Sequence, residues 1–166
     1  MNIIDNVLDV DVYNQVIKCL DDVELTWQRS EVLPQETFNE HVKHNLQFVH
    51  KIFYEHHIFS PRAFKEILAP IADKIEIRSL IKAKLNLKLR AESIIEHGMH
   101  TDHNFGSDAT TGIYYFNTND GYTKFEDDTI VESVANRLVL FSSDMKHTGT
   151  TCTDTQGRYV LNLNFF

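Results

Sequence analysis

Near residue 77 the rhythm of the chain changes. Before it, apolar residues recur at intervals of three and four; after it, they alternate with polar ones in short runs broken by turn formers. In the first part, Asp11 is placed to cap a helix whose inner stripe is Val12, Val16, Cys19 and Leu20. Thr37 is placed to cap a second, with Val42, Leu46, Val49 and Phe53 at helical spacing. Ser60-Pro61 opens a third, with Phe64, Ile67, Leu68 and Ile71 inward, because proline suits the first helical turn.

From Ile77 onward the alternation predicts strands at Lys82–Lys88, Gly112–Asn117, Tyr122–Phe125, Thr129–Val131, Arg137–Phe141 and Arg158–Phe166. Asn119-Asp120-Gly121 marks a turn between the second and third of these. No internal repeat, low-complexity tract or long Pro/Gly linker interrupts the chain. The expected architecture is mainly β with N-terminal helices, residues 1–166 forming one domain. In it, 1–76 is a helical support layer on one outer sheet face. Residues 77–166 form a double-stranded β-helix, the jelly-roll or cupin-like core.

The last strand is the easiest to read. Tyr159, Leu161, Leu163 and Phe165 make one face, suited to a core; Arg158, Val160, Asn162, Asn164 and Phe166 make the other. An arginine and two asparagines on that second face suit either solvent or a polar cavity that holds a carboxylate, which guanidinium grips with two prongs. Lys82, Lys84 and Lys88 alternate with apolar residues in the same way. Their plain reading is a sheet with one packed and one polar face; a substrate- or phosphate-facing role is the second.

Candidate chemistry centres on His100-Thr101-Asp102 and the later His147-Thr148-Gly149. If Met99 to Asp102 ends a strand, His100 and Asp102 project to the same side, and His147 supplies a third ligand from elsewhere in the fold. Two imidazoles and one carboxylate on one face of an octahedral ion leave three positions open, an arrangement that suits non-heme Fe(II). The same set also serves catalytic zinc, with water as fourth ligand. Taken singly, each of the three is more often a surface or capping residue; what raises the metal reading is their combination with Arg158. His41, His44, His50, His56 and His57 have no carboxylate at a diagnostic spacing and are read as solvated surface, and His97 and His103 as neighbours of the ligands.

Over its C-terminal half the chain resembles the Fe(II)- and 2-oxoglutarate-dependent oxygenases, most closely the prolyl-4-hydroxylase-like branch, as a small member of the type that some bacteriophages encode. The segments that carry the resemblance are His100-Thr101-Asp102, Thr111–Asn117, Gly121–Phe125, Asn136–Phe141, His147-Thr148-Gly149 and Gly157-Arg158-Tyr159, in the family's order and spacing. The resemblance implies that His100, Asp102 and His147 are catalytic residues and ligate Fe(II). It also implies that Arg158 binds the distal carboxylate of 2-oxoglutarate with help from Tyr115. Thr111 and Ile113, on the same face as Tyr115, are candidates to line that cavity. One departure is that the family's Gly-Gly-x-Thr segment reads Asp120-Gly121-Tyr122-Thr123. The implied reaction is a dioxygenase hydroxylation that consumes O2 and releases succinate and CO2, with ascorbate as a candidate stimulant. The substrate would be a peptidyl proline, another protein side chain or a small molecule. The competing readings are a zinc-dependent hydrolase, which needs a general base near the ion and has no use for Arg158, and a non-catalytic metal-binding jelly-roll module.

Composition narrows the partners. The chain has 24 acidic and 16 basic residues, a formal charge of −8 without an acidic tail, which disfavours tight binding to a nucleic-acid backbone. Cys19 and Cys152 are far apart and form no C-x-x-C pair, so neither a disulfide framework nor a structural zinc site is expected. The start lacks a signal-peptide pattern and no apolar run is long enough to span a membrane, so the default location is the cytoplasm.

Overall fold

The structure is a computed structural model that describes residues 1–32, 45–102 and 108–166. In chain order its elements are β1 (Asn2–Asp5), α1 (Val10–Leu20), β2 (Gln28–Ser30), β3 (Gln47–Tyr54), β4 (His57–Ile58) and α2 (Pro61–Ala63). The helix α2 runs through a π-helical stretch, Phe64–Leu68, into α3 (Ala69–Ala72). Then follow β5 (Leu80–Leu89), β6 (Thr110–Tyr115), β7 (Tyr122–Phe125), β8 (Ile130–Glu132), β9 (Arg137–Ser142), β10 (His147–Gly149) and β11 (Gly157–Phe165). Among the described residues these strands make a large antiparallel sheet, β1-β9-β6-β11-β5-β3-β2 with β4 on β3, and a small one, β10-β7-β8. The expected mainly β jelly-roll with few helices is what the chain forms.

β11 is the axis of the fold because it is buried on both faces and paired on both edges, with β5 and with β6. Its Leu161, Leu163 and Phe165 pack, with Ile52, Leu85 and Leu138 of neighbouring strands, against Val16, Cys19 and Leu20 of α1 and against Ile67, Leu68 and Ile71. The stripes expected of the first and third helices therefore cover the outer face of the large sheet, as their spacing suggests. Its opposite face looks toward the small sheet. There Val160, Ile113, Tyr115, Val139 and Phe141 meet Phe125 and Val131 in a second, thinner apolar layer.

Three local expectations are corrected. The second helix does not exist over 47–54: Gln47–Tyr54 is strand β3, paired with β5. Val49 and Phe53 recur at a helical spacing of four, but the register shifts between Lys51 and Phe53, so Val49 stands opposite Asn86 on one face and Phe53 opposite Ala83 on the other; Thr37 and Val42 lie outside the described residues. The segment 1–76 is thus not a purely helical layer but also supplies four strands. The first helix starts at Val10 with Asp9 at its cap, which places Asp11 in the first turn. Met99 to Asp102 is not a strand either; its only sheet-like feature is a bridge between His100 and His147.

The segment that follows β1 is anchored by Asn136, beside the β1–β9 pairing and the Arg137–Asp5 ion pair. Asn136 has a positive φ of 62°, a conformation asparagine tolerates better than most residues. Its Oδ1 accepts from Leu8 N at 2.9 Å and from the Tyr114 hydroxyl at 2.8 Å, while Nδ2 donates to Leu8 O at 2.8 Å. Asn136→Ala removes three buried hydrogen bonds and strains the backbone, and is expected to lower stability by about 3 kcal/mol. Urea unfolding checks this: Asn136→Gly should lose less than alanine because it relieves φ, and an alanine variant with an unchanged midpoint would contradict the account.

Candidate metal and anion site

His100 and His147 come from distant segments and meet across their bridge, each main-chain N–H donating to the other's carbonyl at 3.0 and 2.9 Å. Paired residues in an antiparallel bridge send their side chains to one face, so the two rings lie side by side with centroids 4.9 Å apart. Phe141 holds the His147 ring edge-on at 4.8 Å. Nδ1 of His100 lies 3.2 Å from Gly98 O, and Nδ1 of His147 lies 3.1 Å from Met145 O. A carbonyl can only accept, so Nδ1 carries the proton in each ring and Nε2 is left to face inward.

Both Nε2 atoms look at Asp102, at 3.9 Å from Oδ1 for His100 and 3.9 Å from Oδ2 for His147. All three ligand atoms lie within 4.8 Å of one another, close enough to share one ion whose bonds run about 2.0–2.2 Å. Asn162 Nδ2 donates to Asp102 Oδ2 at 2.5 Å and so fixes the carboxylate. Burial alone would raise the Asp102 carboxyl, but Lys82, His147, the Asn162 bond and Lys84 together hold it below the usual carboxylate range. Burial pushes His100 the other way for a base, downward, and the neighbouring His147 adds to this. An ionised carboxylate beside imidazole nitrogens with free lone pairs is the donor set a divalent cation needs.

The same cleft runs from these residues to a second feature. Arg158, on the inward face of β11, is 3% exposed. Its Nε donates to Ser133 Oγ at 2.7 Å and one terminal nitrogen to Thr123 Oγ1 at 2.9 Å, which leaves the other terminal nitrogen for the cleft. Beside it on β5, at the paired register position, stands Lys88, 6% exposed. Lys88 Nζ donates to Gly149 O at 2.6 Å and lies 3.2 Å from His97 Nδ1. A Cβ on Gly149 would come within 3.1 Å of the Arg158 terminal nitrogen and 3.4 Å of Lys88 Nζ, so the bare glycine keeps open the space where both cations converge. Neither cation has an ion pair with a carboxylate among the described residues. Burial pushes both below their ordinary range, and for Lys88 the neighbouring Arg158 and Lys84 add to it. Two buried cations without a counter-ion form a binding place for an anion.

The residues expected to share a site fall into two groups. His100, Asp102, His147 and Arg158 all line one cleft. Tyr115 lies under it: its ring sits 5.3 Å below the Arg158 guanidinium carbon, and its hydroxyl donates at 2.8 Å to the same Thr123 Oγ1 that Arg158 uses. Thr111 is placed elsewhere. Its buried hydroxyl donates to Ser143 and accepts from Asn164 Nδ2, two residues along β6 from the cleft wall that Ile113 forms. Asp120, the departure from Gly-Gly, accepts from Thr153 N at 2.7 Å and pins the turn to the loop before β11. Gly121 is required there, because a Cβ would meet Thr151 O at 2.5 Å and Arg158 Cδ at 2.9 Å.

Some readings change. His50 is buried rather than solvated, its Nδ1 2.7 Å from Thr26 O and its ring edge-on to Trp27; His56 and His57 are exposed, and His41, His44 and His103 lie outside the described residues. The polar face of the lysine-rich strand turns inward, so Lys84, Asn86 and Lys88 line the cleft instead of meeting bulk water. Their signal in the sequence was the alternation itself, which does not say which face is inside.

No protein-family sequence profile matches the chain, and no curated protein matches it by sequence. Solved structures do. A prolyl hydroxylase from Trichoplax adhaerens, in complex with a hypoxia-inducible-factor peptide, superposes with TM-score 0.65 at 17% identity over 99% of this chain and 82% of that one. A prolyl-4-hydroxylase from Pseudomonas putida gives 0.59 at 16% identity, covering 99% and 91%. The non-heme α-ketoglutarate-dependent epimerase SnoN of nogalamycin biosynthesis gives 0.67 at 11%, covering 99% and 75%. The chain therefore has the fold of 2-oxoglutarate–Fe(II) oxygenases. No described helix is long and apolar enough to cross a membrane.

Buried lysines give this site a pH signature. Burial lowers Lys82 to about 8 and lowers Lys84 and Lys88 as well, whereas the unfolded chain keeps those protons to about pH 10.4. Above the folded values the unfolded state binds more protons, so stability must rise with pH. For the metal-free protein the urea midpoint is expected to increase between pH 7.5 and 9, and Lys88→Met should flatten part of the rise. A midpoint that falls over this window would contradict the burial of these lysines.

Proposed function

We propose that the protein is an Fe(II)- and 2-oxoglutarate-dependent dioxygenase that hydroxylates a substrate with release of succinate and CO2. The observation that carries this reading is one cleft with an imidazole–carboxylate–imidazole set at one end and an uncompensated Arg158–Lys88 pair at the other. 2-Oxoglutarate has a metal-chelating keto acid at one end and a lone carboxylate at the other, and so matches both. His100, Asp102 and His147 would hold the ion, and Arg158, with Lys88 at its side, the far carboxylate. Fe(II) and 2-oxoglutarate, when bound, would activate O2, the oxidant of both 2-oxoglutarate and the substrate. The chain's own contribution is placement. The Gly98 and Met145 carbonyls fix the ring tautomers, Asn162 orients the carboxylate, and Tyr115 and Thr123 brace the guanidinium. The apolar layer of Phe125, Phe141 and Val160 shields one side of the site from water.

Among the described cleft residues the only carboxylate is Asp102. A hydrolytic zinc site would consume it as a ligand and be left without a carboxylate general base, and would have no role for the two cations. The oxygenase reading uses Asp102 as a ligand and gives Arg158 and Lys88 an anion to bind.

Calorimetric titration of 2-oxoglutarate into protein loaded with Mn(II), a redox-quiet stand-in, tests the assignment. Wild-type protein should bind one equivalent, and only with metal present. Arg158→Met should weaken binding by about 30-fold or more, the equivalent of ~2–5 kcal/mol for a buried charge left unpaired. His100→Ala should abolish metal-dependent binding. Near-wild-type affinity in Arg158→Met would contradict the proposed orientation.

A further inference from the structure

Resting on that reading, we propose that the substrate presents a carboxylate to Lys84. β5 and β11 lie side by side, and their inward residues form successive pairs: Lys88 with Arg158, Asn86 with Val160, Lys84 with Asn162. Asn162 is the residue that grips Asp102, so Lys84 stands level with the ion-binding end, two pairs away from the anion anchor. Lys82 follows along the same face and adds positive charge at this end.

Charges assign the groups. A divalent ion and Asp102 together leave one positive charge, which the keto-acid carboxylate of 2-oxoglutarate cancels. Its other carboxylate is matched by Arg158, with Lys88 alongside. Nothing in the co-substrate remains for Lys84, which lines the cleft, is partly buried, and has no hydrogen bond or ion pair among the described residues. In the empty site Lys84 is attracted by Asp102; once the ion and the keto-acid carboxylate use that charge, the Lys84 ammonium is left without a counter-ion, and an anion that arrives separately would supply one. Asn86 Oδ1 and Asn162 Oδ1 belong to the same wall and are buried with no donor partner among the described residues. They suit an N–H or O–H next to that carboxylate, as in an amino or hydroxy acid. A neutral prolyl ring would leave Lys84 and both acceptors unmatched. The carboxylate comes from a free acid or from an acidic side chain of a peptide.

Proton relaxation by bound Mn(II) reads this directly, without turnover. Protein saturated with Mn(II) and 2-oxoglutarate is titrated with acetate and, separately, with acetamide, its neutral counterpart, and relaxation of the methyl protons is measured. Acetate should be relaxed more strongly, with an apparent affinity that falls about tenfold in Lys84→Met and is retained in Lys84→Arg, which keeps the charge. L-Alanine against acetyl-glutamate methylamide then separates a free acid from a side chain, and preferential relaxation of either supports the assignment. Equal relaxation by acetate and acetamide would overturn it, and so would an acetate effect that survives in Lys84→Met, which would mean direct ligation of the metal. A tenfold loss of 2-oxoglutarate affinity in Lys84→Met would overturn it as well, by placing Lys84 on the co-substrate. Absence of any metal-dependent 2-oxoglutarate binding in wild-type protein would instead sink the oxygenase reading on which this rests.

Discussion

A strand buried on both faces must find partners inside the protein for every polar group it carries, and β11 carries Arg158, Asn162 and Asn164. Its apolar face is held against the helices by Leu161, Leu163 and Phe165, and a slip of one residue would drive the arginine into that core. The register with β5 and β6 is therefore tightly specified, and with it the position of everything that faces inward. Asn162 meets Asp102, Arg158 meets Thr123 and Ser133, and the lysines of β5 line up beside them. The site is a consequence of one strand's pattern of burial.

The small sheet completes what β11 begins. β10 brings His147 up to His100, and the Phe125–Phe141 contact, with ring centroids 4.9 Å apart at 88°, gives the His147 ring an apolar backing. Gly149, two residues later, leaves the gap over which Arg158 and Lys88 approach. One short strand thus contributes to both ends of the cleft, coupling the distance between them to the packing of the two sheets. The accumulated buried charge works against folding of the empty protein; ligands that neutralise it would return stability through binding.

Six of the seven strands after residue 77 and two of the three helices follow from periodicity, because alternating or helical stripes leave little choice; β10, three residues long, is too short to show one. Segment 47–54 misleads for a physical reason: a register shift between Lys51 and Phe53 breaks its alternation and leaves apolar residues at a helix-like spacing, and pairing with β5 makes it a strand. The cluster of His100, Asp102, His147 and Arg158 is readable because histidine, aspartate and arginine in that order have few alternatives in combination. Lys84, Lys88 and Asn86 are not, since an alternating strand shows that one face is polar without saying whether it looks at water or at a cavity. Thr111 shows the converse: sharing a face with Tyr115 was no guarantee of reaching the same space, and its hydroxyl is absorbed by Ser143 and Asn164.

The central claim is that the two ends of this cleft act together on 2-oxoglutarate in the presence of ferrous iron. The most direct measurement is succinate formed when metal-free protein, reconstituted anaerobically with Fe(II), is given 2-oxoglutarate and oxygen. Wild-type protein is expected to produce succinate slowly even without substrate, and a His100→Ala variant of equal stability none. Succinate formation that is indifferent to His100, or a complete lack of it together with tight Zn(II) binding and no affinity for 2-oxoglutarate, would contradict the account.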